Sequence, residues 1–207
     1  MSGSSRQAHW ENVYRAKGER EVSWFQDDPA PSLDLIDLVG ATESSGILDI
    51  GGGASRLVDV LLARHHLNVT VLDLSAGALA TARDRLGSQA DRANWIVADI
   101  TTWRPEATWD IWHDRAAFHF LNAPEEQAAY AARLGQALNV GGHAIIGTFA
   151  LDGPETCSGL PVTRHSAESI AAVLGPGFAL RDSRRHAHKT PWNSVQHFQF
   201  STFVRTG

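Results

Sequence analysis

The sequence predicts one α/β domain built on a mostly parallel sheet, and three observations predict it. From Ile47 to Phe149, short β-branched runs alternate with Ala-rich and Leu-rich amphipathic stretches, the rhythm of strand-helix-strand crossovers. Three glycines, Gly51 to Gly53, stand directly between the first of these strands and the helix after it. The length of 207 residues allows one domain with a substantial core and would cramp two.

The first strand is Ile47 to Ile50, and a helix follows from Ser55 to Arg64. Val69 to Asp73 forms the second strand, and Ser75 caps a helix running to Leu86. Trp95 to Ala98 is the third strand and Trp109 to His113 the fourth. A helix opens at Pro124 and runs through Ala137. It is expected to stop in Asn139 to Gly142, where the glycine pair supplies positive φ. His143 to Phe149 is the fifth strand. Beyond it, a Pro- and Gly-rich loop leads to a short helix, Ala167 to Leu174. Two strands, Phe178 to Ala187 and Val195 to Val204, then form an antiparallel hairpin. Ahead of the core, the segment 7–42 carries Trp10, Tyr14, Trp24 and Phe25 among charged residues, with a helix at Ser32 to Leu38. It is too small for a core of its own and is expected to lie over the sheet edge where open α/β sheets bind ligands, residues 1–42 capping a core of 43–207. The opening five residues, Met1 to Ser5, read as a frayed end.

Composition narrows the function classes. A content of 43% hydrophobic and 20% charged residues is that of an ordinary globular protein. No stretch approaches the roughly 18 apolar residues of a membrane span. With no secretory signal evident in the first twenty residues, the expected location is the cytoplasm, without membrane contact. The net charge of -5 gives no field to attract nucleic acid, and the cluster Arg181 to Lys189 is short and interrupted by Asp182. Cys157 is the only cysteine, which excludes an internal disulfide and argues against a thiolate metal site, so no metal is expected.

The glycine run admits a ligand close to the backbone, because no Cβ intervenes. A glycine cluster alone is a weak signal, and its neighbours sharpen it. Asp49 stands two residues before Gly51, where a pyrophosphate would find a repelling charge. Arg56 occupies the position at which the dinucleotide fingerprint needs another glycine, and no Gly-Lys-Ser/Thr follows. Asp73 ends the second strand, placed to accept from two ribose hydroxyls. Asp99 follows the third strand, where it can accept from an adenine amino group between Leu74 and Ile100. Acids at three successive strand ends point to an adenosine ligand.

The order Asp-x-Gly-x-Gly, then Asp73, Asp99 and Asp110-Ile111-Trp112-His113-Asp114, resembles the class I S-adenosylmethionine-dependent methyltransferases over roughly Ile47 to Phe149. The resemblance implies a Rossmann-like seven-stranded sheet in the order 3-2-1-4-5-7-6, its last strand antiparallel. It implies S-adenosyl-L-methionine as cofactor, its methionine over Gly51 and Gly53, its ribose on Asp73 and its adenine on Asp99. Tyr14, Trp24, Asp49, Gly52, Ser55, Leu74, Ile100 and His113 complete the expected cofactor site. Ser55 stands where many members have a further glycine.

In such a fold the acceptor site lies among the loops after the fourth and fifth strands and the N-terminal cap. His113, Asp114, Arg115 and His119 are the catalytic candidates, and either histidine is placed to serve as a general base. Trp24, Phe25, His119, Cys157 and Arg164 are the acceptor-binding candidates. The segment Trp112 to Phe118 lacks the Asn/Asp-Pro-Pro-aromatic motif of enzymes that methylate base amino groups. Asp114-Arg115 before small and aromatic residues, with the N-terminal Trp-x-x-x-Tyr, is similar to the thiopurine and thiol methyltransferase group and to some small lysine methyltransferases. The run Gly153 to Pro161 also resembles a segment in uncharacterised bacterial methyltransferases with Trp-His-Asp-Arg. The expected function is transfer of a methyl group to a small nucleophile, a thiol among the choices, by a monomer or homodimer. A protein lysine acceptor is the alternative, and a NAD-binding or non-catalytic protein of the same scaffold is a third. A closed aromatic pocket beneath Trp24 separates the first from the open groove that a peptide needs.

Overall fold

The structure is a computed structural model that describes residues 3–207, with side chains from Ser5 onward. Of the expected frayed end, Met1 and Ser2 lie outside the described residues, while Gly3 begins a helix.

Seven strands form one sheet, whose elements in chain order are α1 (Gly3–Ala16), α2 (Ala30–Leu38), β1 (Gly46–Ile50), α3 (Leu57–Ala63), β2 (Asn68–Asp73), α4 (Ala76–Leu86), β3 (Ala93–Val97), β4 (Trp109–Arg115), α5 (Pro124–Ala137) and β5 (Leu138–Phe149). A two-stranded hairpin, β6 (Thr156–Cys157) and β7 (Leu160–Pro161), follows, then α6 (Ala167–Leu174), β8 (Phe178–Lys189) and β9 (Val195–Arg205). The large sheet runs β3-β2-β1-β4-β5-β9-β8. β1 to β5 are parallel neighbours, and β9 is antiparallel to both β5 and β8. This is the order expected from the resemblance, with the small β6-β7 hairpin added ahead of the last two strands.

Alternation along each strand sorts side chains onto two faces. Ile47, Val69, Val71, Ile111 and Ile145 meet α2 and α3 on one face, through Leu33, Ile36, Leu57 and Leu61. Leu48, Ile50, Trp112, Ala144 and Ile146 meet α5 and α6 on the other, through Tyr130, Leu134 and Ile170. Parallel strands covered on both sides explain why β1 and β2 are buried almost without a break.

The expected helix stop at Asn139 to Gly142 is corrected. Helix α5 ends at Ala137, the next residue, Leu138, is already extended at φ -91° and ψ 133°, and the glycine pair lies inside β5. Gly141 does take a positive φ of 84°, within the strand. At Gly142 a Cβ would stand 2.8 Å from the Asp110 carbonyl oxygen, so the absence of a side chain lets β5 pass the irregular start of β4. Ser75, as expected, caps α4 by accepting from the Ala78 amide at 3.1 Å.

Helix α1 is joined to the core by acids and bases rather than by a deep apolar seam. Arg6 pairs with Glu126 at the start of α5. Glu11 accepts from the Ala76 amide at 2.7 Å, capping α4 from outside. Glu19, just after α1, bridges Arg56 and Arg85, the latter at 2.6 Å. Arg85 also holds Asp59 and the Ala54 and Ser55 carbonyls, so one cation ties the N-terminal segment to the glycine loop. No helix among the described residues is long and apolar enough to cross a membrane.

Candidate functional site

A cleft of about 760 Å³ opens where β1, β2, β3 and β4 end, at the carboxyl edge of the sheet. Gly51 turns the chain after β1 at φ +65°, and its amide donates to the Leu72 carbonyl at 2.7 Å. Gly53 has a φ of +44°, and a Cβ there would stand 2.9 Å from the Tyr14 hydroxyl and 3.0 Å from Asp73 Oδ2. A Cβ on Gly52 would collide with Asp49 Oδ2 and Val71. Each glycine is therefore required by conformation or by space.

Asp73 ends β2 with one carboxylate oxygen accepting from the Ser75 amide at 2.8 Å. Burial, and then the nearby Asp49 and Glu11 carboxylates, push it up to about 7. No cation among the described residues offsets it. Such a group is stabilised by a ligand that brings hydroxyl donors. Tyr14 is pushed well above the usual phenol range by burial and by Asp73. Asp99 accepts from the Thr101 amide and hydroxyl at 2.9 and 2.7 Å, and Leu74 and Ile100 flank the cleft beside it.

Trp10, Tyr14 and Trp24 cover the cleft from the N-terminal segment. Trp10 meets Trp24 and Phe120 edge-on, at centroid distances of 5.8 and 5.0 Å. The far wall carries Arg115, Ala116, Ala117, Phe120, Leu121 and Cys157. Arg115 donates to the Trp24 carbonyl at 2.9 Å and lies 5.4 Å from the centre of the Phe198 ring. No carboxylate pairs with it among the described residues, and burial lowers it to about 10. Cys157 arrives on the β6-β7 hairpin, whose two turn residues, Ser158 and Gly159, both have positive φ. Burial pushes its thiol up to about 11.

Of the expected residues, the cleft gathers Tyr14, Trp24, Gly51, Asp73, Leu74, Asp99, Ile100, Arg115 and Cys157. Asp49, Gly52, Ser55 and His113 line a smaller cavity of about 370 Å³ behind the glycine loop. The others require correction. His119 is fully buried, its Nδ1 accepts from the Phe149 amide at 3.2 Å, and burial with the neighbouring His165 and Arg115 lowers it to about 3. It lines neither cavity and is in no position to take a proton from an acceptor. Asp114 is also buried, accepting from the Ala117 and Phe118 amides and from the Tyr130 hydroxyl at 2.8 Å, while Tyr130 accepts from Trp112. That network shapes the turn after β4 and does not face the cleft. Phe25 packs under the Arg20 and Arg56 guanidinium groups. Arg164 pairs with Glu155 at 2.9 Å and donates to the Gly153 carbonyl.

Sequence reasoning missed Arg6, Phe120 and Leu121 in the cleft, and Gln26 and Ser32 in the smaller cavity. Spacing marks none of these. Ser32 alone left a trace, as a polar residue on the apolar side of α2, beside Leu33 and Ile36.

These residues fit S-adenosylmethionine. A buried, unbalanced carboxylate suits ribose hydroxyls, apolar walls beside Asp99 suit an adenine, and a cradle that Cβ atoms would fill suits the chain between them. Residues 47–142 match the family described as the methyltransferase domain. The chain carries an α/β Rossmann-like methyltransferase fold, and the family match falls at its centre. It is 32% identical over 121 residues to a malonyl-[acyl-carrier protein] O-methyltransferase of Paenibacillus, covering 56% of this chain and 41% of that one. It is 26% identical to thiocyanate methyltransferase 1 of Arabidopsis thaliana, over 88% of this chain and 78% of the relative. Among solved structures it is similar to the 1,6-didemethyltoxoflavin-N1-methyltransferase of Burkholderia thailandensis with bound S-adenosylhomocysteine. That likeness has a TM-score of 0.69 at 21% identity, over 99% of this chain and 85% of the other. The chain spans about half the length, or less, of the malonyl-[acyl-carrier protein] methyltransferases it matches.

Proposed function

We propose that the protein transfers a methyl group from S-adenosylmethionine to a small acceptor that reacts as an anion, a thiolate or a related soft sulfur nucleophile. The observation that carries this reading is the Arg115 wall. It presents a cation with no carboxylate ion-pair partner, set among Ala116, Ala117, Phe120 and Leu121, in a cleft lined by no histidine among the described residues. His113 and His119 are both engaged elsewhere. An acceptor that needed deprotonation would find no histidine to take its proton and only Asp73, which the ribose engages, whereas a thiolate arrives already deprotonated.

The bound cofactor supplies a methyl already activated by a positive sulfur. The chain's own part is positioning and solvent exclusion. Arg115 holds the anion, Phe120 and Trp24 exclude water, and Asp73 and Asp99 fix the nucleoside. Methyl transfer forms the bond from acceptor sulfur to methyl carbon and breaks the bond to the sulfonium, whose sulfur keeps the electron pair. The acceptor's negative charge and the sulfonium's positive charge cancel, and no proton moves. The likeness to a thiocyanate methyltransferase supports sulfur as the acceptor atom. The aromatic cover of Trp10, Tyr14 and Trp24 favours a small molecule over an extended peptide.

The test is mass-spectrometric detection of +14 products from a panel of thiols, inorganic sulfur anions, amines, phenols and carboxylates. Products are expected from the sulfur nucleophiles. Arg115→Ala is expected to raise KM for them by about ten-fold or more, the worth of one charge-assisted hydrogen bond, and to change S-adenosylhomocysteine affinity less. Methylation confined to amines sinks the reading.

A further inference from the structure

The sheet face beneath α2 is apolar at Ile47, Val71, Ile111 and Ile145, and two polar residues break it. Asp49 of β1 and His113 of β4 are direct register partners, so both side chains leave the sheet on the same side, one strand apart. His113 Nδ1 stands 2.7 Å from Asp49 Oδ1, and Nε2 stands 2.8 Å from the Ser32 hydroxyl on the first turn of α2. All three residues are at most 3% exposed. With Asp49 ionised, its oxygen can only accept, so Nδ1 carries the proton. In the neutral ring Nε2 is then the acceptor for Ser32.

Packing alone gives no reason for this chain of groups. A buried carboxylate costs several kcal/mol in desolvation, and apolar residues of similar size fill such positions at no loss. What sets the site apart is the smaller cavity on its open side, lined by Asp49, Gly52, Gln26 and Arg115 among others, and sharing Trp24, Gly51 and Arg115 with the main cleft. Gln26 Oε1 is buried there with no hydrogen-bond partner among the described residues. A carboxylate and a lone amide oxygen facing one small cavity form a receptor for a group that only donates, such as a primary ammonium.

We infer that Ser32 and His113 are positioning residues that hold Asp49 with its free oxygen toward the ammonium of the cofactor's amino-acid end, with Gln26 as a second acceptor. The inference rests on the cofactor reading given above. It also makes α2 part of the cofactor site, because the Ser32 end of the chain lies on the N-terminal segment.

Calorimetry with two ligands tests it: S-adenosylhomocysteine, which carries the ammonium, and 5′-methylthioadenosine, which has the nucleoside and sulfur but no amino-acid end. His113→Leu removes both links while keeping bulk, and Ser32→Ala removes only the outer one. His113→Leu is expected to weaken S-adenosylhomocysteine about thirty-fold and Ser32→Ala about three-fold to ten-fold, with 5′-methylthioadenosine unchanged within about two-fold in both. His113→Asn, whose amide N–H replaces Nδ1–H, recovers most of the loss. Equal weakening of both ligands shows a merely structural role and overturns the inference, as does full S-adenosylhomocysteine affinity in His113→Leu. Should His113→Leu fail to fold, Ser32→Ala and His113→Asn carry the same two-ligand comparison. Wild-type protein that binds neither ligand overturns the cofactor reading itself.

Discussion

Asp73→Asn is expected to strengthen the ligand-free fold and to weaken the site. The carboxylate is pushed up to about 7 because burial, Asp49 and Glu11 outweigh the Ser75 and Leu74 amides that favour its charge, and a ligand with hydroxyl donors offsets the remaining cost. If the ribose binds the ionised form alone, the apparent Kd scales as one plus the protonated-to-ionised ratio. That factor is about 11 at pH 6 and about 1.1 at pH 8, so S-adenosylhomocysteine should bind about ten-fold more tightly at pH 8 than at pH 6. Replacing the carboxylate loses about two charge-assisted hydrogen bonds, roughly 2–4 kcal/mol, or about 30-fold to 1,000-fold in Kd, and abolishes the pH dependence. The stability sign runs the other way. A carboxyl whose folded-state value lies above its unfolded value of 3.8 opposes folding increasingly as pH rises from about 4 to about 7. At pH 8 the ligand-free Asp73→Asn protein should therefore melt above wild type. Titration calorimetry at the two pH values and thermal melts read both effects. Wild-type binding that is flat between pH 6 and 8, or an Asp73→Asn variant that binds like wild type, refutes the argument.

Three further expectations follow from the same contacts. His119→Phe leaves the Phe149 amide unpaired and should cost about 1–3 kcal/mol in chemical denaturation at pH 8. Because the folded-state value of His119 is lowered to about 3, wild type loses stability relative to this variant as pH falls from about 6.5 toward 4, and the gap should narrow there. A pH-rate profile between 6 and 9 that loses an ionisation in His119→Phe contradicts its placement outside the chemistry. Gly53→Ala must hold φ near +44° and crowds Tyr14 and Asp73, so cofactor affinity should drop about ten-fold or more; calorimetry showing unchanged binding removes the case for that cradle. Tyr130→Phe takes the hydroxyl from Asp114, which burial already holds at about 6, and should lower stability by about 1–3 kcal/mol, read by denaturant midpoint; an unchanged midpoint denies the network its structural part.

Much of this architecture is legible in the sequence because strand burial and helix caps are local. The β-branched runs at β1 and β2, the Ser75 cap and the positive-φ glycines each carry their own signal. The acids Asp73 and Asp99 are legible for the same reason, since strand ends can be counted. What failed depends on register and on distant partners. The sequence places His113 and His119 alike, six residues apart after one strand. Only the β1-β4 register puts His113 beside Asp49, and only the path of β5 gives His119 the Phe149 amide as a partner. The stop expected at Asn139 to Gly142 failed because the glycines answer to Asp110 of a neighbouring strand rather than to the helix before them.

The ties that hold the N-terminal segment have a kinetic meaning. Arg6, Glu11 and Glu19 grip three separate parts of the core: the start of α5, the start of α4 and the Arg56-Arg85 pair. Trp10, Tyr14 and Trp24 ride on the segment they fasten. Those rings wall the cleft proposed for the nucleoside, so the ties fix one side of its path. The residence time of a bound molecule is thus expected to depend on these ion pairs, of which Arg6 lines the cleft itself, and to shorten as added salt screens them.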